Sequence, residues 1–450
     1  MTCPEKFHIK RSVQALGIAI VLLLLSGCQP LSSLFSEEEP LAIVLPDTQS
    51  KAQQENLAIH EFDLSGGSNM VGMLVAIDTR QNDVLPDIAR HFGLGYNDIS
   101  IANSNVSPWT PESGSRVLLP LKFILPDSPH KGITLNLANM RLFFYPKNQP
   151  EKVFTYPVGI GRQGWNTPMG LTSIVSKDAN PSWTVPESIQ REHAEKGDAL
   201  PKIVESGPNN PLGLYAMRLA IPGYLIHGTN KPYGIGMQIS HGCVQLYPED
   251  IEVLFKKTTI GMPVRIVHQP YLTAWDQDML YLEAHEPLEK WTKDKASLKK
   301  QLFKQIHGLS DKRKVAVDWQ KVEKIIQRAD GIPTPILMES IEIAEISKKA
   351  ILMKHPEHFY DQPVIEPLKD SNWSIKVASF NDETQAQKLA TMLNHQGPII
   401  PAHKVQKENT YQVIAGPFKS KIEMKAAVKR IKMDFEIDGE PLKPISTAVN

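Results

Sequence analysis

Apolar and polar positions follow several distinct rhythms along this chain, and each rhythm predicts a different element. Val13 to Leu25 is an apolar run behind Lys6, Lys10 and Arg11. It is shorter than the roughly 20 residues a spanning helix needs, and basic-then-apolar order predicts a secretion signal. From Leu31 to about Gly72 the chain is rich in Ser, Glu, Gln and Pro, which predicts a tether. Leu74 to Ile77 then read as a short strand. Leu85, Ile88, Ala89 and Phe92 recur at helical spacing behind a cap at Asn82 or Asp83. A Gly93-Leu94-Gly95 turn leads to a second helix around Asn97 to Asn103, and Arg116 to Leu119 return as a strand closed by Pro120.

The rhythm shortens after Lys131. Ile133 to Asn136 and Arg141 to Tyr145 predict strands joined by a turn at Asn139, and Lys152 to Ile160 and Met262 to His268 predict two more. Long helical patterns are scarce, so residues 131–271 read as a mainly β domain. Within it, Trp183 to Gly213 form a proline-punctuated insertion with a helix from Glu187 to Lys196, placed to cover a site as a lid. Residues 272–371 are charged and helical in tendency, as in DKASLKKQLFKQ, and predict a charged helical linker. Trp373 to Phe380 and Thr410 to Ala415 are strands that repeat weakly, each followed by a helix. That order predicts a ferredoxin-like sheet over residues 372–449. The fold class expected is multidomain α+β, with residues 1–27 as signal, 28–70 as tether and 71–126 as a small βααβ domain.

Composition changes this picture little. The 450 residues carry 49 Lys and Arg against 49 Asp and Glu, so no net charge argues for a nucleic-acid partner. The three cysteines matter more. Leu25-Ser26-Gly27-Cys28 resembles the bacterial lipobox, which implies cleavage before Cys28 and lipidation of its thiol. The implied location is the periplasm, on a membrane through the lipid anchor; Gln29 in place of aspartate implies the outer membrane. With Cys3 removed and Cys28 acylated, Cys243 is the one thiol left. A lone thiol in an exported chain is a candidate reactive site.

The residues around Cys243 fit that chemistry. Ile226-His227-Gly228-Thr229-Asn230 is followed by Tyr233-Gly234-Ile235-Gly236 and by Ile239-Ser240-His241-Gly242-Cys243-Val244. A free thiol is only a few per cent ionised at neutral pH, so a neighbouring imidazole is needed to take its proton. His227 and His241 are both candidates. Gly242 lets the backbone bend sharply, and the N–H groups of Gly242 and Cys243 are candidate oxyanion donors. No HExxH or HxxEH spacing is present around Glu192 and His193, and nothing calls for a metal or cofactor.

The string IHGTNKPYGIGMQISHGC, with Thr167-Pro168-Met169-Gly170 upstream, resembles the L,D-transpeptidase catalytic domain, also called the YkuD domain. The resemblance implies attack by Cys243 on a peptidoglycan tetrapeptide stem, with loss of D-alanine and transfer of the acyl group to an amine acceptor. That acceptor is a second stem peptide or an envelope lipoprotein. It also implies His227 as general base, His241 in a supporting role and Ser240 orienting a histidine, with Gly228, Thr229 and Gln245 near substrate. Many members carry arginine where this chain has Gln245. DVLPDIARHFGLGYNDISIANSN resembles the LysM domain, and WSIKVASF with TYQVIAGPF resembles the SPOR domain. Both imply binding to glycan strands. A stem-peptide or lipoprotein-releasing hydrolase on the same fold, and a non-catalytic wall tether, are the alternatives.

Overall fold

The computed structural model describes residues 60–64, 67–195 and 199–444. The expected signal, Cys28 and most of the expected tether lie outside the described residues. The end of that tether is not a free arm: Glu61–Asp63 forms the edge strand of the central sheet, antiparallel to Lys152–Pro157. Phe62 supplies the reason, since it packs into an apolar cluster with its ring edge-on to Phe123, 6.0 Å between centroids.

The first module follows the strand–helix–helix–strand order read from the sequence. Met70–Asp78 and Arg116–Ile124 pair antiparallel, and helices Leu85–His91 and Tyr96–Ala102, which connect them, pack against this pair. The central sheet has nine strands in the order Glu61–Asp63, Lys152–Pro157, Arg141–Tyr145, Gly132–Asn136, Pro263–Val267, Gly170–Ala179, Tyr215–Leu219, Leu225–His227, Val244–Gln245. Strand Arg141–Tyr145 is buried along its whole length because both its faces are covered. Leu142 and Phe144 join the sheet's own core, while Phe143 and Tyr145 join the core of the first module. Arg90 clamps the same junction by donating to both carboxylate oxygens of Glu249, at 2.9 and 2.8 Å. Glu249 opens the helix Pro248–Lys257 that follows Cys243, so this ion pair ties the module to the elements of the site.

Residues 272–371 differ from the expected linker. Tyr271–Asp276, Met279–Ala284 and Thr334–Pro335 form a three-stranded sheet, covered by helices Lys295–Arg313 and Trp319–Arg328. Leu280, Leu282, Leu302, Ile306, Val322 and Ile325 make its core. Most of the lysines that suggested a linker lie on the outer faces of those helices, but Lys321 is buried, its Nζ donating to the Ser340 and Ile341 carbonyls at 3.0 and 2.7 Å. Beyond them, residues 350–362 strap across the first module. Ile351–Leu352 pairs parallel with Val75 and Ala76, Phe359 enters the module's core, and His355 Nε2 lies 2.9 Å from Asp83.

The last module is a four-stranded sheet, Ala402–Lys407, Thr410–Phe418, Trp373–Phe380, Glu440–Leu442, with helices Glu383–His395 and Lys421–Phe435 packed on it. His395 of this module lies 2.6 Å from Asp87 of the first.

Candidate active site

The site grows from two short parallel strands. Leu225–His227 pairs with Val244–Gln245 so that Ile226 faces Val244 and His227 faces Gln245. Ile226 and Val244 are both buried in the sheet's core. Side chains alternate along a strand, so His227, Cys243 and Gln245 share the opposite face. The Leu225 N–H also points at the Cys243 sulfur. The pattern of one apolar residue between two functional ones, on each strand, therefore brings the imidazole and the thiol to one surface.

The turn that carries Cys243 is held from three sides. Gly242 has φ +105°, a conformation that strains any residue with a side chain, and an added Cβ would meet the Tyr224 ring at 2.8 Å. The Ser240 hydroxyl donates to the Cys243 carbonyl at 2.6 Å and accepts the Gly242 N–H at 3.1 Å. Ser240 thus braces its own turn and orients no histidine, a correction to the expected role. The Gly242 N–H is committed to that brace as well, so it is not a free oxyanion donor. Thr167 of the upstream motif donates to the Gly242 carbonyl at 2.8 Å and accepts the Gly161 N–H at 3.1 Å. Gly236 serves the same loop at its other end. With φ +84°, it lies so close to the first module that a Cβ would come 2.5 Å from Gly95 Cα.

His227 is buried, and its Nδ1 lies 2.6 Å from the Gly228 carbonyl. A carbonyl only accepts, so Nδ1 carries the proton and Nε2 keeps a lone pair. Burial lowers the imidazole from 6.5 to about 4 against the opposing pull of the Gly228 and Leu212 carbonyls. Burial likewise pushes the Cys243 thiol up, opposed by the Leu225 N–H. Cys243 itself is half-buried, with its S–H directed at the Gly223 carbonyl at 3.7 Å. The resting pair is a neutral thiol and a neutral imidazole.

His241 belongs to a different cluster. Its Nε2 lies 3.0 Å from a Glu192 oxygen and 2.8 Å from an Arg162 nitrogen, and Trp165 packs edge-on to its ring. Burial lowers its pKa, the Glu192 hydrogen bond raises it and Arg162 lowers it again, for a net decrease. Arg162 holds both Glu192 oxygens at 2.7 Å. The Arg162 hydrogen bond, then that of His241, holds the Glu192 carboxyl down at about 2. Arg162, Glu192 and Trp165 were missed by sequence reasoning as site residues. Glu192 comes from the inserted helix Glu187–Glu195, which the short strands Trp183–Thr184 and Ile203–Val204 anchor. The insertion is therefore fastened at the site. Glu192→Gln removes the charge that fastens it, and alkylation of Cys243 by iodoacetamide is expected to become severalfold faster. An unchanged rate would mean that the helix does not screen the thiol.

The remaining expected contacts are distributed unevenly. Thr229 is buried, and its hydroxyl accepts the Lys231 N–H at 2.9 Å, so it shapes the loop and is not presented to a substrate. Gly228 acts through its carbonyl on His227. Gln245 stays on the reactive face, with its buried Oε1 lacking a hydrogen-bond partner.

Comparison with known proteins bears on this geometry. The family model for the L,D-transpeptidase catalytic domain, YkuD, matches residues 130–266, and that for the SPOR domain matches residues 369–439. A probable L,D-transpeptidase of Escherichia coli K12, ErfK/SrfK, is 35% identical over 281 residues, which is 60% of this chain and 88% of the relative. The chain belongs to the L,D-transpeptidase family. Two further E. coli K12 relatives, both named probable L,D-transpeptidases, are YcfS, 36% identical across 56% of this chain and 75% of its own length, and YbiS, 38% identical across 49% and 73%. The matched segment of this L,D-transpeptidase contains the whole sheet face that carries His227 and Cys243.

Proposed function

We propose that this L,D-transpeptidase acts on peptidoglycan through a thioester on Cys243. The observation that carries this is the placement of His227 and Cys243 on one face of paired strands, beside a turn clamped by Ser240 and Thr167. His227 Nε2 takes the thiol proton as sulfur attacks the carbonyl of the third stem residue. The C–N bond to the terminal D-alanine breaks, and the proton passes to the departing amine. An acceptor amine then attacks the thioester and gives a proton to His227; the C–S bond breaks, the product leaves with its new amide, and His227 returns the proton to the Cys243 sulfur. The Cys243 N–H is assigned to the oxyanion, with the Gly242 N–H stiffening the turn. Arg162, His241 and Glu192 form the wall that faces the incoming peptide.

The SPOR domain binds the chain to the cell wall, which fits a periplasmic, wall-associated enzyme. The βααβ order of residues 71–126 supports a LysM-like glycan-binding role for that module, and Cys28 is the proposed lipid anchor to the outer membrane. An envelope lipoprotein remains a proposed acceptor beside a second stem peptide. Incubating the full chain with tetrapeptide muropeptides tests the reading. Cross-linked dimers with released D-alanine are expected; tripeptides alone would replace transfer by hydrolysis.

Gln245 tunes this reaction. Arginine at that position would set a cation beside His227 and add bidentate carboxylate recognition. Gln245→Arg is expected to shift the preference between competing amine acceptors by about tenfold, the scale of one charge-assisted hydrogen bond. Product ratios from a two-acceptor competition measure it, and unchanged ratios would show that Gln245 does not contact the acceptor or donor.

A further inference from the structure

The loop between the base and the nucleophile is held in part by the last module. The chain leaves His227 as a tight turn. The Gly228 carbonyl accepts from His227 Nδ1 at 2.6 Å, and the Thr229 hydroxyl accepts the Lys231 N–H at 2.9 Å. The Gly228 N–H donates to the Tyr215 carbonyl at 3.1 Å, and Thr229 is buried. Asn230 and Lys231 follow directly, so a shift at either is passed along a short, bonded stretch of backbone to the carbonyl that fixes the imidazole.

The SPOR domain grips both of these residues. The Gly397 N–H donates to the Asn230 carbonyl at 2.7 Å, and Asp434 lies 2.8 Å from Lys231 Nζ. One helix governs both grips. Lys421–Phe435 carries Asp434, and Arg430, one turn earlier, donates to the Pro398 carbonyl at 2.6 Å and so braces the peptide beside Gly397. Lys231 is 34% exposed and Asp434 21%, and a pair so placed contributes little to stability by itself. Its consequence lies in where it holds the loop. Asp434 also bears on Tyr233, whose hydroxyl is pushed up by burial first and then by that carboxylate. Tyr233 lines a narrow cleft together with Thr391 and His395 of the same domain.

Further along, the same loop is pinned to the first module, where the Tyr96 N–H donates to the Ile235 carbonyl at 2.9 Å. The stretch nearest the base therefore depends on the SPOR domain, and the stretch nearest the nucleophile on the first module. We propose that the SPOR domain is a positioning element for acylation, with Asp434 and the Gly397 N–H holding the His227 loop in register with Cys243. Neither group is bonded to His227 or Cys243. Both act through Asn230, Lys231 and the Gly228 carbonyl, which keep the imidazole in its Nδ1–H tautomer. Small displacements of a catalytic group are costly, up to about a hundredfold in rate, so a weak contact on this loop can have a large kinetic effect. The effect on acylation rests on the peptidoglycan reading, whereas the effect on the tautomer does not.

The test uses the purified full chain with isotope-labelled histidine, the single variants Asp434→Lys and Lys231→Asp, and the double variant that exchanges the two charges. Asp434→Lys puts a cation in the last turn of its helix, where the helix dipole favours it. The contacts of His395 with Asp87 and of Thr384 with Thr110 are untouched, and thermal melts confirm that each variant folds. Magnetic resonance of the His227 ring, assigned with His227→Gln, should show one Nδ1–H tautomer in the wild type, a mixture in each single variant, and one tautomer again in the exchange. Acylation of Cys243 is followed in parallel with sugar-free tetrapeptide, so that glycan binding plays no part. Its kcat should fall about tenfold in the single variants, with KM within about twofold, and should recover in the exchange. An unchanged tautomer in both single variants overturns the proposal, as does a loss that the exchange leaves in place, or a rise in KM with kcat intact. If the wild type is not acylated at all, the peptidoglycan reading falls, and the tautomer alone decides the positioning role.

Discussion

With Cys243 replaced by alanine, the full chain is expected to release no D-alanine, form no thioester and make no dimers from tetrapeptide muropeptides. The loss should reach about four orders of magnitude or more, as when a covalent nucleophile is deleted from a group that acts as a unit. The fold should survive. The thiol is half-buried and its polar contacts are weak: S–H to the Gly223 carbonyl at 3.7 Å, and the Leu225 N–H aimed at the sulfur. The turn is shaped by Gly242 and by the Ser240 and Thr167 hydroxyls, none of which the substitution touches. The stability change should stay within about 1 kcal/mol, the usual range for a small substitution that leaves no buried polar group unmet. Intact-protein mass spectrometry reads the reaction directly: the wild type gains the stem acyl group less D-alanine, and the variant gains nothing. An adduct of the same mass on the variant would place the nucleophile elsewhere.

That His227 and Cys243 come to one face was legible in the sequence because the pattern is local. His227 and Cys243 flank a loop of fifteen residues, and each sits one residue from an apolar neighbour that must face the core. Period-two alternation then fixes which side chains emerge together. The surrounding wall was not legible. Glu192 meets His241 across 49 residues and Arg162 meets it across 79, and only the packing of the insertion decides those meetings. Hydroxyls misled in a consistent way. Ser240 and Thr229 were expected to serve a histidine or the substrate, but both bond to backbone within three residues. Short polar side chains commonly satisfy nearby backbone first. Residues 272–371 misled through composition. Abundant lysine suggested solvated linker helices, while Leu302 and Ile306, Val322 and Ile325 held the helical spacing of a buried face. The strap at 350–362 had no periodic signal, since its anchor is a two-residue strand and one phenylalanine.

His227→Gln is expected to slow acylation by about 10²–10⁴-fold, the usual contribution of a positioned general base. Its effect on the pH profile is the sharper test. With His227 as the proposed base, which works only when neutral, wild-type acylation should climb as pH rises through about 4 and then hold level across neutrality. Without the imidazole, the reaction depends on the thiolate itself. Burial has pushed that group above its ordinary value of 9.0, so the variant's rate should climb steadily into the alkaline range with no plateau. Stability must be followed separately, because the same burial links folding to protons. The folded imidazole titrates near 4 and the unfolded one near 6.5, so the unfolded state binds more protons between those values. The stability gained by keeping His227 neutral is complete above 6.5 and declines as pH falls toward 4. Circular dichroism over the same range separates loss of fold from loss of base. A variant that keeps both the wild-type rate at neutral pH and the plateau would show that the Cys243 proton leaves by another route.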